Sequence, residues 1–169
     1  MAIEAADQLL AESQAGTEVV LQPSCRLIRA WIRLARGDLP GALEDAGSAA
    51  QLAHAAELPM DLYWALGVRG RILVAAGRIK EANAQASELL AMLVERGAPL
   101  TAPDSSGDLA VVLQALGRAT DFQGLAQTWT ATPWRQVATA IAAGDFKQAA
   151  DPTPRSAPGP MRPSPIPGG

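Results

Sequence analysis

The chain has 169 residues, 49% of them apolar but only 4% aromatic, and a formal net charge of −3. That length suits one domain with a sizeable core and is short for two. The mild acidity argues against nucleic acid or an anionic membrane as the main partner, and the single cysteine, Cys25, excludes a disulfide framework or a paired-cysteine metal knuckle.

Much of the apolar content is alanine, the best helix former with the smallest side chain. Valine, isoleucine and threonine never gather into the alternating runs that strands need. The expected fold is therefore all-α. Residues 1–10 carry Glu4 and Asp7 but no basic residue, unlike a secretory signal. No apolar run approaches the roughly 20 residues that span a bilayer, and the longest, Tyr63–Ala76, is broken by Arg69 and Arg71. A soluble, cytoplasmic chain with no membrane contact is expected.

In chain order, a first helix is predicted over about Ala2–Ser13. A first hairpin pairs Ser24–Arg36 with Leu39–Ala56, with Pro40 near the start of the second arm. A second pairs Met60–Ala76 with Ile79–Arg96. A loop over Gly97–Gly107, rich in Pro, Ser, Thr and Gly, precedes a third hairpin, Asp108–Leu116 with Ala119–Trp129. Thr132 or Pro133 opens a further helix to Ala143, and Asp145–Ala150 begins its second arm. Residues 151–169 hold 7 of the 13 prolines. A segment so rich in proline and poor in apolar surface is expected to be disordered or extended. Because the change falls within a helical pattern, it reads either as a natural flexible tail or as a frameshift replacing a helical continuation.

The helical segments end on a repeated turn, at Gly37, Gly77, Gly117 and Gly144, where glycine supplies the left-handed backbone that closes a helix. The first three glycines are spaced by 40 residues and the last interval is 27. Seven positions before each lie Ala30, Gly70, Ala110 and Val137; five after lie Ala42, Ala82, Phe122 and Ala149. Small residues on both arms let two backbones approach, with Val137 and Phe122 as departures. This periodicity points to a repeated helix–turn–helix unit.

The period, the Gly-Asp/Arg turn and the small-residue offsets resemble tetratricopeptide-like repeats, in a long form covering residues 2–150. The stretches LARGDLPGALEDAGSAAQLAHAAELP and ATAIAAGDFKQAAD are similar to the C-terminal helical region of large actinobacterial signalling ATPases. Those proteins also carry a class III adenylate or guanylate cyclase domain or a LuxR-type DNA-binding domain, and no part of either is recognisable here. The resemblance implies a right-handed solenoid of antiparallel helical hairpins, and a tail of a larger signalling or transcriptional regulator. It carries over no enzymatic residue.

Charge supplies the one candidate site. Arg26, Arg29, Arg33 and Arg36 fall within about 80° of one helix face, opposite Leu27, Trp31 and Leu34. The following arm is acidic, with Asp38, Glu44, Asp45 and Glu57; Arg69 and Arg71 against Glu81, Glu88 and Glu95 repeat the contrast more weakly. In tetratricopeptide-like stacks the first arms line the concave groove. A groove of Arg26, Arg29, Arg33, Arg36, Arg69 and the aromatic Trp64 would take an acidic protein or peptide by arginine–carboxylate pairing. The plainer alternative is that these arginines are solvated or bridge to the neighbouring acidic helix.

Other chemistry is weakly signalled. His54 is the only histidine, which excludes a histidine-rich metal site. Cys25 near a helix start lacks a neighbouring base and reads as a small buried residue. Trp31, Trp64, Trp129 and Trp134 are spread over different hairpins, as core and inter-repeat packing requires; Tyr63 and Trp64, being adjacent, cannot both face one core. Gly67-Val-Arg-Gly70 imitates a KH-type GxxG loop but lies in a helical pattern. Phosphate-loop, dinucleotide and HExxH motifs do not occur, and Asp104 and Asp108 read as helix caps. The expectation is a non-catalytic interaction scaffold without metal or cofactor, self-association through the incomplete last hairpin being one outcome. A small-ligand sensor is the alternative, and a gene fragment without an independent role is a third reading.

Overall fold

A computed structural model describes residues 2–16, 19–96, 103–129 and 132–150. Helices α1 (Ala2–Ala15), α2 (Gln22–Ala35), α3 (Leu39–Ala55), α4 (Pro59–Ala75) and α5 (Ile79–Arg96) are followed by α6 (Pro103–Ala115), α7 (Ala119–Ala126), α8 (Pro133–Ala142) and α9 (Phe146–Ala150). A single 3-10 turn, Val19–Leu21, leads into α2, and no strand occurs among the described residues. The fold class is all-α.

Local chemistry accounts for most boundaries. Proline stands in the first turn of α2, α3, α4 and α8 and opens α6, where its missing N–H would have had no helical partner. This corrects the expected loop over residues 97–107: α6 starts at Pro103, so the last five loop residues are helical and 97–102 lie outside the described residues. Asp108 is consequently in mid-helix and buried, and does not cap; the Asp104 side chain lies outside what is described. Helix α7 ends three residues earlier than expected, where the Thr128 hydroxyl donates to the Leu125 carbonyl at 2.7 Å and competes with the helical ladder. The tail, residues 151–169, also lies outside the described residues.

The four turn glycines have φ of +79°, +69°, +69° and +75°. At each, the glycine N–H donates to the carbonyl three residues back and the next N–H to the carbonyl five back, as in Gly37→Leu34 and Asp38→Arg33, or Gly144→Ile141 and Asp145→Ala140. This is the Schellman closure. A fifth copy joins α3 to α4, where Glu57 takes the left-handed position at φ +54°; its N–H donates to His54 and that of Leu58 to Ala53. A side chain there hides the turn from a search for glycine.

Helices α2, α4, α6 and α8 pack one on the next, while α3 packs against both α2 and α4. One apolar cluster unites Leu27, Ala30, Ala42, Ala46 and Ala49 with Ala65, Val68 and Ile72 of α4. A second, larger one runs from Leu62, Tyr63 and Leu66 of α4 through α5 and α6 to Ala138 and Ala142 of α8. Helix α4 is thus apolar on all sides and buried between the two, the behaviour expected of a central helix. The small positions do what the spacing predicts in the first three units: Ala30, Gly70, Ala110, Ala42 and Ala82 are all buried. Phe122 replaces the fourth-listed small residue with a fully buried ring, edge-on to Trp129 at 5.7 Å.

Candidate functional site

Arg26, Arg29 and Arg33 recur at three- and four-residue steps on α2, so they project from one face. That face meets α3 at Asp45, a carboxylate only 1% exposed. Arg29 grips it with two bonds, Nε to Oδ2 at 2.8 Å and Nη2 to Oδ1 at 2.5 Å. Arg33 Nη1 lies 3.1 Å from Oδ2 and Arg26 Nη1 3.8 Å from Oδ1. Two outer carboxylates complete the network: Asp7 of α1 accepts from Arg29 at 2.8 Å, and Asp38 lies 3.7 Å from Arg33 Nε. Asp38 also caps α3 through the Gly41 N–H, and Arg33 donates to the Gly41 carbonyl at 3.0 Å.

The energetics follow from burial. A buried carboxylate is tolerated when its oxygens are fully paired, and the two-pronged guanidinium geometry supplies that pairing. Hydrogen bonding to Asp45 raises the Arg29 pKa; partial burial works against the shift and Asp7 adds to it. The arginine is therefore charged at any accessible pH, and the cluster acts as a fixed electrostatic staple joining α1, α2 and α3.

The other expected groove residues lie apart from this centre. Arg36 is exposed at the C-cap of α2. Trp64 is half-buried against the α2–α4 cluster while its neighbour Tyr63 is buried in the other cluster, so the two aromatics do face different cores. Arg69 stands 40 residues after Arg29 and donates to Gln85, which stands 40 after Asp45. The second unit thus repeats the contact with an amide in place of the carboxylate, and Gln85 passes a 2.8 Å hydrogen bond on to Glu88.

Several linking contacts carry little sequence signal. The Arg71 guanidinium stacks 4.4 Å from the Trp31 ring centre and reaches Asp108 Oδ1 at 3.2 Å, tying α2, α4 and α6 together. Ser24 donates to Asp61 at 2.7 Å. Arg118 pairs with Asp121 and reaches back to Asn83 and Ser87 of α5. Arg78, in the equivalent place one unit earlier, pairs with Glu81 and by its hydrogen bonds holds that carboxyl below the ordinary glutamate range; the pair is exposed and contributes little to stability. The Arg29–Asp45 spacing of 16 residues, echoed by Arg69–Gln85, is the one pattern from which the central pair was predictable.

His54 is exposed on α3 and Cys25 half-buried near the start of α2. Among the described residues no three His, Cys, Asp or Glu side chains gather as metal ligands, and no helix is long and apolar enough to cross a membrane. No protein family, curated protein or solved structure matches the chain.

Proposed function

We propose that the chain is a non-catalytic protein-interaction scaffold, built as a tetratricopeptide-like solenoid of antiparallel hairpins and serving as the helical tail of a larger signalling or transcriptional regulator. The observation that carries the repeat reading is the Schellman closure recurring at 40-residue spacing between helices that pack in succession. A stack of this kind presents an extended face formed by successive helices, suited to binding a peptide segment.

The α2 face selects the chemistry of that segment. Four arginines meet three carboxylates, Asp7, Asp38 and Asp45, so one positive charge is in surplus. Asp45 is buried and committed to the staple, whereas the Asp7 and Asp38 side chains are half exposed. An acidic peptide can replace those two outer carboxylates on Arg29 and Arg33 and add a contact to Arg36, leaving the Asp45 pairing in place. Fluorescence anisotropy with a labelled glutamate-rich peptide tests this. Arg36→Glu together with Arg26→Glu should weaken binding by at least about tenfold, or 1.4 kcal/mol, and Asp7→Asn should strengthen it. Binding that ignores both changes, or no binding by the parent chain, would overturn the acidic-peptide reading. Arg29 and Arg33 are left intact because reversing them would set carboxylates against Asp45.

A further inference from the structure

The 40-residue register reaches beyond the arginine face. Ala6, Ala46, Ala86 and Ala126 stand at successive 40-residue steps and all four are buried. Helix α1 therefore lies in the register of α3, α5 and α7. At the next core position of this series, Ala49 and Leu89 are buried but Leu9 is 49% exposed. The same holds on α2. Ala65, Val68 and Ile72, the α4 residues seated on α2 and α3, correspond 40 residues earlier to Cys25, Ile28 and Ile32. Val68 and Ile72 are fully buried, whereas Ile28 is 44% exposed and Cys25 and Ile32 are half-buried.

The α8–α9 end shows the opposite half of the same interface. Counted from the turn glycines, Trp134, Ile141 and Phe146 occupy the places of Leu27, Leu34 and Leu39, which pack with Ala65, Val68 and Ile72. Leu27 is fully buried, yet Trp134 is 61% and Phe146 58% exposed. One end of the molecule thus displays the residues that α4 uses to sit on α2 and α3. The other end displays the residues on which it would sit.

We infer that the chain associates head to tail with a second copy, the Trp134–Phe146 end of one docking on the Leu9–Ile28 end of the next in the manner of the internal α2/α3–α4 interface. A second copy is the occupant because the two open faces are complementary halves of an interface that the chain already forms within itself. Charge favours the same polarity. Helix α1 carries Glu4, Asp7 and Glu12 and no basic residue, while α8 and α9 contribute Arg135 and Lys147 against Asp145. Pairing of like ends would set the acids of α1 against each other. Such a heterologous contact does not close by two-fold symmetry, so it grows into an open series.

The inference rests on the repeat architecture proposed above and is independent of the acidic-peptide partner. Sedimentation velocity over a wide concentration range tests it with the full chain, Ile28→Asp and Trp134→Asp. Both substituted side chains are exposed, and unchanged helical circular dichroism verifies that each variant folds. The parent chain should pass from monomer to a continuing series of larger species as concentration rises. Each variant alone should stay monomeric, because it lacks one of the two faces. Their equimolar mixture should give a one-to-one dimer that grows no further, since it unites the one intact Trp134 face with the one intact Ile28 face. A parent chain that is monomeric throughout, a variant that still self-associates, or a mixture that stays monomeric would each overturn the proposal. The peptide measurement reads only the arginine face, so either reading can fail without the other.

Discussion

Asp45 shows how much one residue can decide. Its side chain is almost wholly removed from water, and Arg29 alone satisfies both oxygens. Asp45→Ala would leave three arginines facing each other across a partly buried space. Breaking a buried pair by removing one partner costs about 3–5 kcal/mol; because the arginines keep some access to water, about 3 kcal/mol is expected here, measured as lost stability in urea unfolding. A loss below about 0.5 kcal/mol, the range of ordinary surface substitutions, would show that the cluster contributes nothing to the fold. The composition already marked a basic helix beside an acidic one. It did not single out Asp45 from Asp38, Glu44 and Glu57, because burial of one carboxylate depends on how α2 and α3 meet.

At the scale of elements, the contact between α4 and α6 is set by Gly70. A methyl group placed on Gly70 would lie 3.3 Å from Val112 Cγ2, and Val112 is itself buried in the core. Gly70→Leu should therefore push α6 away from α4 and destabilise the chain by about 1–3 kcal/mol, the usual penalty of overpacking. Val112→Ala in the same chain should restore part of the loss, which thermal unfolding of the single and double variants would measure. Equal stability of parent and Gly70→Leu would refute the close approach. The small residues flanking each turn glycine were legible at this scale because they repeat at fixed offsets. The turn at Glu57 was not, since its backbone is left-handed without glycine, and the start of α6 was obscured by a loop-like composition in which Pro103 in fact opens the helix.

Across the whole molecule, stability should fall from the centre outward. Helix α4 contributes to both apolar clusters, whereas α8 and α9 expose Trp134 and Phe146 and α1 exposes Leu9. In a dilute sample, hydrogen exchange should be slowest in α4 and much faster in α1, α8 and α9, following the local density of buried contacts. Protection of α8 equal to that of α4 would contradict this order.

The sequence by itself determined the all-α class, the 40-residue period, the glycine turns and the face of α2 that carries the arginines. All of these depend on the residues within a turn or two of each other, where propensity, capping and helical geometry act. Only the tertiary structure decided that Arg29 closes on Asp45, that Arg71 lies between Trp31 and Asp108, and that Trp134 and Ile28 stand open where their repeat partners are buried. Those outcomes depend on which helix lies beside which and how closely the backbones approach, and the same periodic pattern is compatible with more than one such arrangement.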